Sequence, residues 1–255
     1  NGSGRALLRH ARSGWTTTLL SLAPLYLVPL ALLARFAEPP APAAEQRPAP
    51  WWALVTFFRQ RRSAVWTLGV VPLVLLGDWL VGSLMSPMLL AAGWTSERIA
   101  AVLFTAATGA QVLASLATGV LINRVGRRRV VVVVGVTGAA ASAVMLPVSL
   151  GYGALWPVAC ALVVATACYG AKMTWISTVS LGMARDSTGS TDFTVPMSMT
   201  GVGRVVVTSA TLGLVGAVGY TWLVGVAVAL ALAAIAPAVA ASREPAPEPQ
   251  PASAG

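Results

Sequence analysis

Apolar residues run along this chain in long uninterrupted stretches, separated by short polar, glycine-rich or arginine-rich breaks. Crossing a bilayer as a helix takes roughly 20 apolar residues. Seven stretches reach that length, at residues 15–36, 64–90, 97–122, 130–150, 154–180, 193–218 and 221–241. The pattern predicts an all-α integral membrane protein with seven transmembrane helices. Val130 to Val134 is a β-branched run that a membrane helix tolerates.

The breaks differ in character. Residues 37–63 are Pro-rich (EPPAPAAEQRPAP) and then basic (RQRR), which predicts a flexible, partly extended linker. Short links follow: Gly93 to Ser96, with Ser96 as an expected N-cap; Asn123 to Arg129; Gly151-Tyr152-Gly153; Gly182 to Asp192; and Gly219-Tyr220. The expected organisation is therefore a first segment 1–36, a linker 37–63, a six-helix block 64–241 and a disordered tail 242–255. The chain begins at Asn1 with no signal-peptide pattern, so an upstream part is expected to be missing.

Composition agrees with a membrane protein: 56% hydrophobic and 10% charged residues, with mean hydropathy +0.76. The net charge of +9 comes almost wholly from arginine. In a soluble protein that excess would suggest nucleic acid, but these arginines lie between apolar runs and no nucleic-acid partner is expected. Arg35, Arg47, Arg59, Arg61, Arg62, Arg124, Arg127, Arg128, Arg129, Arg185 and Arg243 fall on one side, against Arg5, Arg9, Arg12 and Arg98 on the other. Positive residues favour the cytoplasmic side, which would place the linker, the arginine loop and the C-terminus there. Cys160 and Cys168 stand eight apart in one apolar run, roughly 12 Å along a helix, too far to bridge, and read as packing residues. Pro72, Pro87 and Pro147 are expected to kink their helices. His10 lies outside the apolar runs and reads as surface.

Candidate chemistry rests on three charges inside apolar runs: Asp78, Lys172 and Arg204. Such residues are expensive in hydrocarbon and usually face a cavity or a partner. Counted from the ends of their runs, they lie at depths of ~21, ~12 and ~16 Å, which brings Arg204 within reach of Asp78 more easily than Lys172. Two readings fit: a static ion pair that holds helices together, or an anion-binding group in which Asp78 serves as proton site or counter-charge. Trp79, Gln111, Ser115, Thr174, Trp175 and Ser177 are weaker candidates for a cavity wall. Nothing in the pattern suggests a cofactor or metal, and the absence of HExxH, a Ser/His pair in the spans or an acidic cluster argues against an enzyme.

The stretch Gly119-Val-Leu-Ile-Asn-Arg-Val-Gly-Arg-Arg-Arg129 adds a spacing more specific than a basic cluster. Gly119 would permit close packing at the end of its helix, Gly126 a tight turn, and the arginines would meet headgroups or helix C-terminal carbonyls. The spacing G-x-L-x-D-R-x-G-R-R resembles the signature loop of the major facilitator superfamily, matched by Gly119, Leu121, Arg124, Gly126, Arg127 and Arg128, with Asn123 in place of the usual Asp. Two further stretches are similar to muropeptide permeases and related siderophore permeases of bacteria. Gly77-Asp78 resembles the G-D pair of helix seven, and Ser190 to Thr194 the motif G-T-D-[FY]-T-x-Q that opens helix eleven, with Ser190 for Gly and Pro196 for Gln. The resemblance implies the second six-helix half of such a permease plus the helix before it, in the bacterial inner membrane. It implies a polar solute as substrate, alternating access with possible proton coupling, and a missing N-terminal half as partner besides the bilayer. In that architecture helices seven and ten would carry Asp78 and Lys172 onto the cavity wall, with Arg204 on the neighbouring helix eleven.

Thr191 and Asp192 have a plainer reading as N-caps of the sixth apolar helix, with Pro196 near its first turn. Two rival functions remain. A truncated, non-transporting membrane partner fits the chain as it stands. A seven-helix retinal protein would need its lysine in the last span, whereas Lys172 lies in the fifth.

Overall fold

The computed structural model describes residues 27, 30, 31, 33–35, 51–185 and 188–242. It divides into two units, residues 1–48 and 49–255. Of the first unit only residues 27, 30, 31 and 33–35 are described, as helix, so the predicted span at 15–36, His10 and the N-terminal arginines lie almost wholly outside the described residues.

The second unit is helical, with no strand among the described residues. It comprises α1 (Trp52–Arg59), α2 (Arg61–Ala91), α3 (Ser96–Val125), α4 (Arg127–Ser149), α5 (Leu155–Leu181), α6 (Gly189–Val218) and α7 (Tyr220–Ala241). The last 6 are each long and apolar enough to cross a membrane. Six of the seven predicted spans therefore appear, with boundaries shifted by a few residues, while the tail beyond Ser242 lies outside the described residues.

Of the predicted linker, residues 51–63 are described, and they are largely helical: they form α1 and the start of α2, which the basic RQRR stretch joins through Gln60. The reason is local: Ala53 and Phe57, one turn apart, are buried while Trp51, Trp52, Leu54 and Val55 are exposed, an amphipathic spacing. Pro72 also behaves differently from a simple kink. A π-helical turn, Trp66–Val70, precedes it, and the Val71 N–H donates to the Trp66 carbonyl, so the wider turn absorbs the ring that an α-turn would meet. In α3 the π-turn Ala101–Ala107 leaves the Leu103 carbonyl to be taken by the Thr108 hydroxyl at 3.0 Å.

The connections between α2 and α7 are short, from one residue (Gly126, Gly219) to seven (residues 182–188). Thr95 caps α3, its hydroxyl accepting from the Arg98 N–H at 3.3 Å, in place of the expected Ser96. Gly126 turns α3 into α4 at φ +88°, a conformation that L side chains rarely adopt. At the opposite end the Trp94 indole N–H donates to the Gly153 carbonyl at 3.1 Å.

Helices α5, α4, α7 and α2 pack in sequence, with α3 against α5 and α6 against α2. Two apolar clusters fill the bundle. The one nearer the arginine loop holds Trp66, Leu75, Val130, Trp175 and Ile176. The other, towards the opposite end, holds Leu84, Met88, Met145, Leu162 and Val224. Between them lies the ion pair described next. Of the two cysteines, Cys168 is buried as expected but Cys160 is exposed, because it faces away from the bundle.

Candidate functional site

Asp78 sits near the middle of α2, one residue after Gly77. The two residues face different neighbours. A Cβ on Gly77 would stand 2.7 Å from the Ala227 carbonyl oxygen, so the glycine is what lets α7 lie this close to α2. The Asp78 carboxylate turns instead towards α5, where Lys172 Nζ donates to its Oδ2 at 2.6 Å. The Lys172 side chain is buried at 3% exposure, and that of Asp78 is largely covered at 10%. Lys172 passes beside Gly138 of α4, where a Cβ would stand 3.5 Å from Nζ. The lysine thus sits among α4, α5 and α2, and of the pair it is Asp78 that lines the central cavity.

That space is a cavity of about 430 Å³ lined by α2, α3, α4, α5 and α6, with Asp78, Trp79, Gln111, Ser142, Tyr169 and Arg204 on its wall. A carboxylate, a guanidinium, an amide and a phenol therefore converge on one opening in an otherwise apolar bundle. Such a wall can bind a polar solute by hydrogen bonds and by charge of either sign.

The expectation about reach is reversed. Lys172, not Arg204, bonds to Asp78, and Arg204 forms no ion pair among the described residues. Counting residues gives height along a helix but not the direction a side chain faces. Arg204 follows Gly203, on which the Trp79 ring lies so closely that a Cβ would stand 2.5 Å from it. That contact sets the face α6 turns to α2 and leaves Arg204 exposed at the cavity edge.

The weaker candidates divide. Trp79 and Gln111 line the cavity. Trp175 does not: it is buried in the core, with its ring 5.4 Å from that of Trp66. The Thr174 hydroxyl donates to the Gly170 carbonyl at 3.2 Å and to the Ser115 carbonyl at 3.4 Å, so Thr174 and Ser115 tie α5 to α3. The Ser177 hydroxyl donates to Met197 Sδ at 3.7 Å, between α5 and α6. Sequence reasoning did not single out Tyr169, Ser142, Thr166 or Thr208, which also line the cavity. Helical spacing could have found three of them: Tyr169 lies three before Lys172, Thr166 a further turn back, and Thr208 four after Arg204.

The arginine loop shows Gly126 as its turn, with Leu121, Asn123, Arg124 and Arg128 exposed around it. Gly119 has nothing within 4 Å of a Cβ position, so the expected close packing there is absent among the described residues. Arg127 reaches the end of α5, its Nη1 3.3 Å from where a Cβ on Gly182 would stand. A cation at a helix C-terminus meets the negative end of the helix dipole.

The cap assignment also needs correcting. Helix α6 starts at Gly189, before Thr191 and Asp192, and makes no side-chain cap. Asp192, buried in the first turn, takes Arg185 Nε at 2.7 Å, Nη2 at 2.8 Å, the Arg185 backbone N–H at 3.1 Å and the Thr188 hydroxyl at 3.2 Å. Arg185 Nη1 also donates to Thr56 Oγ1 at 3.2 Å and Nη2 to the Ala53 carbonyl at 3.4 Å, which ties α1 to the α5–α6 turn. The hydrogen bond to the Asp192 carboxylate pushes the Arg185 guanidinium above its ordinary value, so it is charged at every physiological pH. Pro196 lies well inside the helix, in its second turn.

No family model matches the chain. No cluster of metal-ligating side chains occurs among the described residues.

Proposed function

We propose that the six helices form one half of a secondary transporter, a permease of the major facilitator type that moves a polar solute by alternating access. The observation that carries this reading is the buried Asp78–Lys172 pair at the wall of a polar-lined cavity at mid-bundle. Ion sites of such carriers lie near the membrane midplane between two halves. Two helices flank the cavity with little cover: 12% of the apolar window of α3 and 6% of that of α6 are buried. The exposed side of α6 includes Arg204 near its middle, which hydrocarbon would not accommodate, so water or a second helical half belongs there.

Arg204 and the cavity edge would hold an anionic group of the solute. The size of the cavity and the resemblance of the GD and TDFT stretches favour a siderophore-like or muropeptide-like substrate. Asp78 would exchange its proton with Lys172 as partner, so that breaking and remaking the pair accompanies the change of access. The setting is the bacterial inner membrane with the arginine loop and C-terminus in the cytoplasm.

The test is Asp78→Asn in the protein with both halves present. Uptake of labelled siderophores and anhydro-muropeptides should fall at least tenfold, and its dependence on external pH should flatten. Unchanged accumulation with an unchanged pH profile would sink the proposal.

A further inference from the structure

A second cavity, larger than the central one, lies at the arginine-loop end of the bundle. It has a volume of about 650 Å³ and opens between the start of α2 and the end of α7. Its mouth carries Arg61 and Arg62, both exposed, and its walls are Val65, Val70, Pro237 and Ala240. Trp66 forms the floor and is fixed there, because its indole N–H donates to Ser180 Oγ at 3.0 Å. Two arginines thus border one apolar slot.

Neighbouring residues set the height of this opening. Just before Arg61, α1 exposes Trp51 and Trp52, at 78% and 55%, together with Leu54 and Val55. Exposed tryptophans beside arginines mark the level where hydrocarbon gives way to headgroups. At that level the groups available to fill an apolar slot under two cations are phospholipids, and the charge selects the acidic ones. Arginine matches phosphate oxygens with paired donors, which a single ammonium group cannot do.

We infer that the groove between α2 and α7 is a binding site for one acidic phospholipid, its phosphate held by Arg61 and Arg62 and an acyl chain along Val65, Val70, Pro237 and Ala240. Basic pockets between membrane helices hold lipid headgroups in this way. The site lies outside the central cavity and depends only on the helices crossing a membrane, not on transport. Because α2 carries Asp78 further along and α7 packs against Gly77, a lipid wedged between their ends would also brace the helix that carries Asp78.

The experiment uses the full chain in detergent, with bound lipid counted by native mass spectrometry after titration with phosphatidylglycerol or phosphatidylcholine. Wild type should retain phosphatidylglycerol about thirtyfold more strongly, the scale expected for two arginines at a membrane surface. Arg61→Gln with Arg62→Gln should bring the two lipids to parity. Ala240→Phe fills the slot and keeps both arginines, and should also abolish the preference, which covers the case in which the double variant fails to fold. Arg128→Gln with Arg129→Gln removes equal charge from the same end and should leave the preference intact. The proposal is overturned if this last pair removes as much as the first, since the effect would then be diffuse charge. It is overturned too if neither Arg61/Arg62 nor Ala240 matters, or if millimolar inorganic phosphate displaces the lipid, since the site would then take free phosphate.

Discussion

Asp78 and Asp192 are both largely covered and both paired with a basic residue, yet they are held to very different degrees. Asp192 accepts from four donors, three on Arg185 and one on Thr188, and so has its carboxylate filled on both oxygens. Asp78 accepts one side-chain hydrogen bond among the described residues, from Lys172, and borders a cavity. A filled carboxylate is a structural tie whose bonds would all have to be lost together. A carboxylate with one partner and open space beside it can exchange that partner for a proton or a ligand. The difference assigns anchoring to the end of the bundle and change to its middle.

The largest expected effect comes from breaking the anchor. Asp192→Ala removes at once the acceptor of Arg185 Nε, Nη2 and backbone N–H and of the Thr188 hydroxyl, and should lower stability by about 3 kcal/mol. Unfolding in mixed SDS micelles measures it. If the loss is under 1 kcal/mol, the carboxylate is not the keystone that its bonds suggest. Lys172→Met should follow at about 2 kcal/mol, since it strands Asp78 in a buried place. Adding Asp78→Asn to that variant should recover at least half of the loss, because the stranded charge is gone. A double variant no better than the single one would mean that Lys172 acts by packing beside Gly138 and not by charge.

These two clusters were unequally legible in the sequence. The helices could be read because hydrocarbon demands long apolar runs, and Asp78 and Lys172 stood out because such runs seldom contain charge. Their pairing could not be read, since spacing along α2, α5 and α6 gives heights and says nothing of which way each helix is turned. That orientation depends on contacts such as Trp79 on Gly203 and Ala227 on Gly77, which involve residues far apart in the chain. Tyr169, Ser142 and Thr208 look like any polar residue that bridges helices until the cavity is seen. Asp192 was mistaken for a cap because its partner, Arg185, sits seven residues back in a turn, and the turn's other contacts reach to Thr56. The proline-rich composition before Trp51 hid α1, whose two buried positions, Ala53 and Phe57, are too few to stand out as a periodicity.

Within the anchor, the contributions can be ranked. Thr188→Ala removes one donor of four and should lower stability by about 1 kcal/mol, less than is usual for a hydrogen bond to a charged group because the carboxylate keeps three other donors. A loss as large as that of Asp192→Ala would show that the threonine, not the arginine, holds the carboxylate in place.

The smallest effect belongs to Thr56→Val, which keeps the side-chain shape and removes the acceptor for Arg185 Nη1 at 3.2 Å. Arg185 is 28% exposed, so water can take over that N–H, and the Thr56 hydroxyl is otherwise spent on the Ala53 carbonyl at 3.0 Å. The expected loss is therefore below about 0.5 kcal/mol in global stability. A local probe separates this from the larger variants. Trypsin cleavage after Arg59, between α1 and α2, should speed up strongly in Asp192→Ala, where Arg185 loses the bonds that aim it at α1. It should scarcely change in Thr56→Val, because Nη2 still donates to the Ala53 carbonyl and Phe57 stays buried. Equal acceleration in the two variants would place the hold on α1 at Thr56 itself, and the carboxylate with four donors would then be an anchor for its own turn alone.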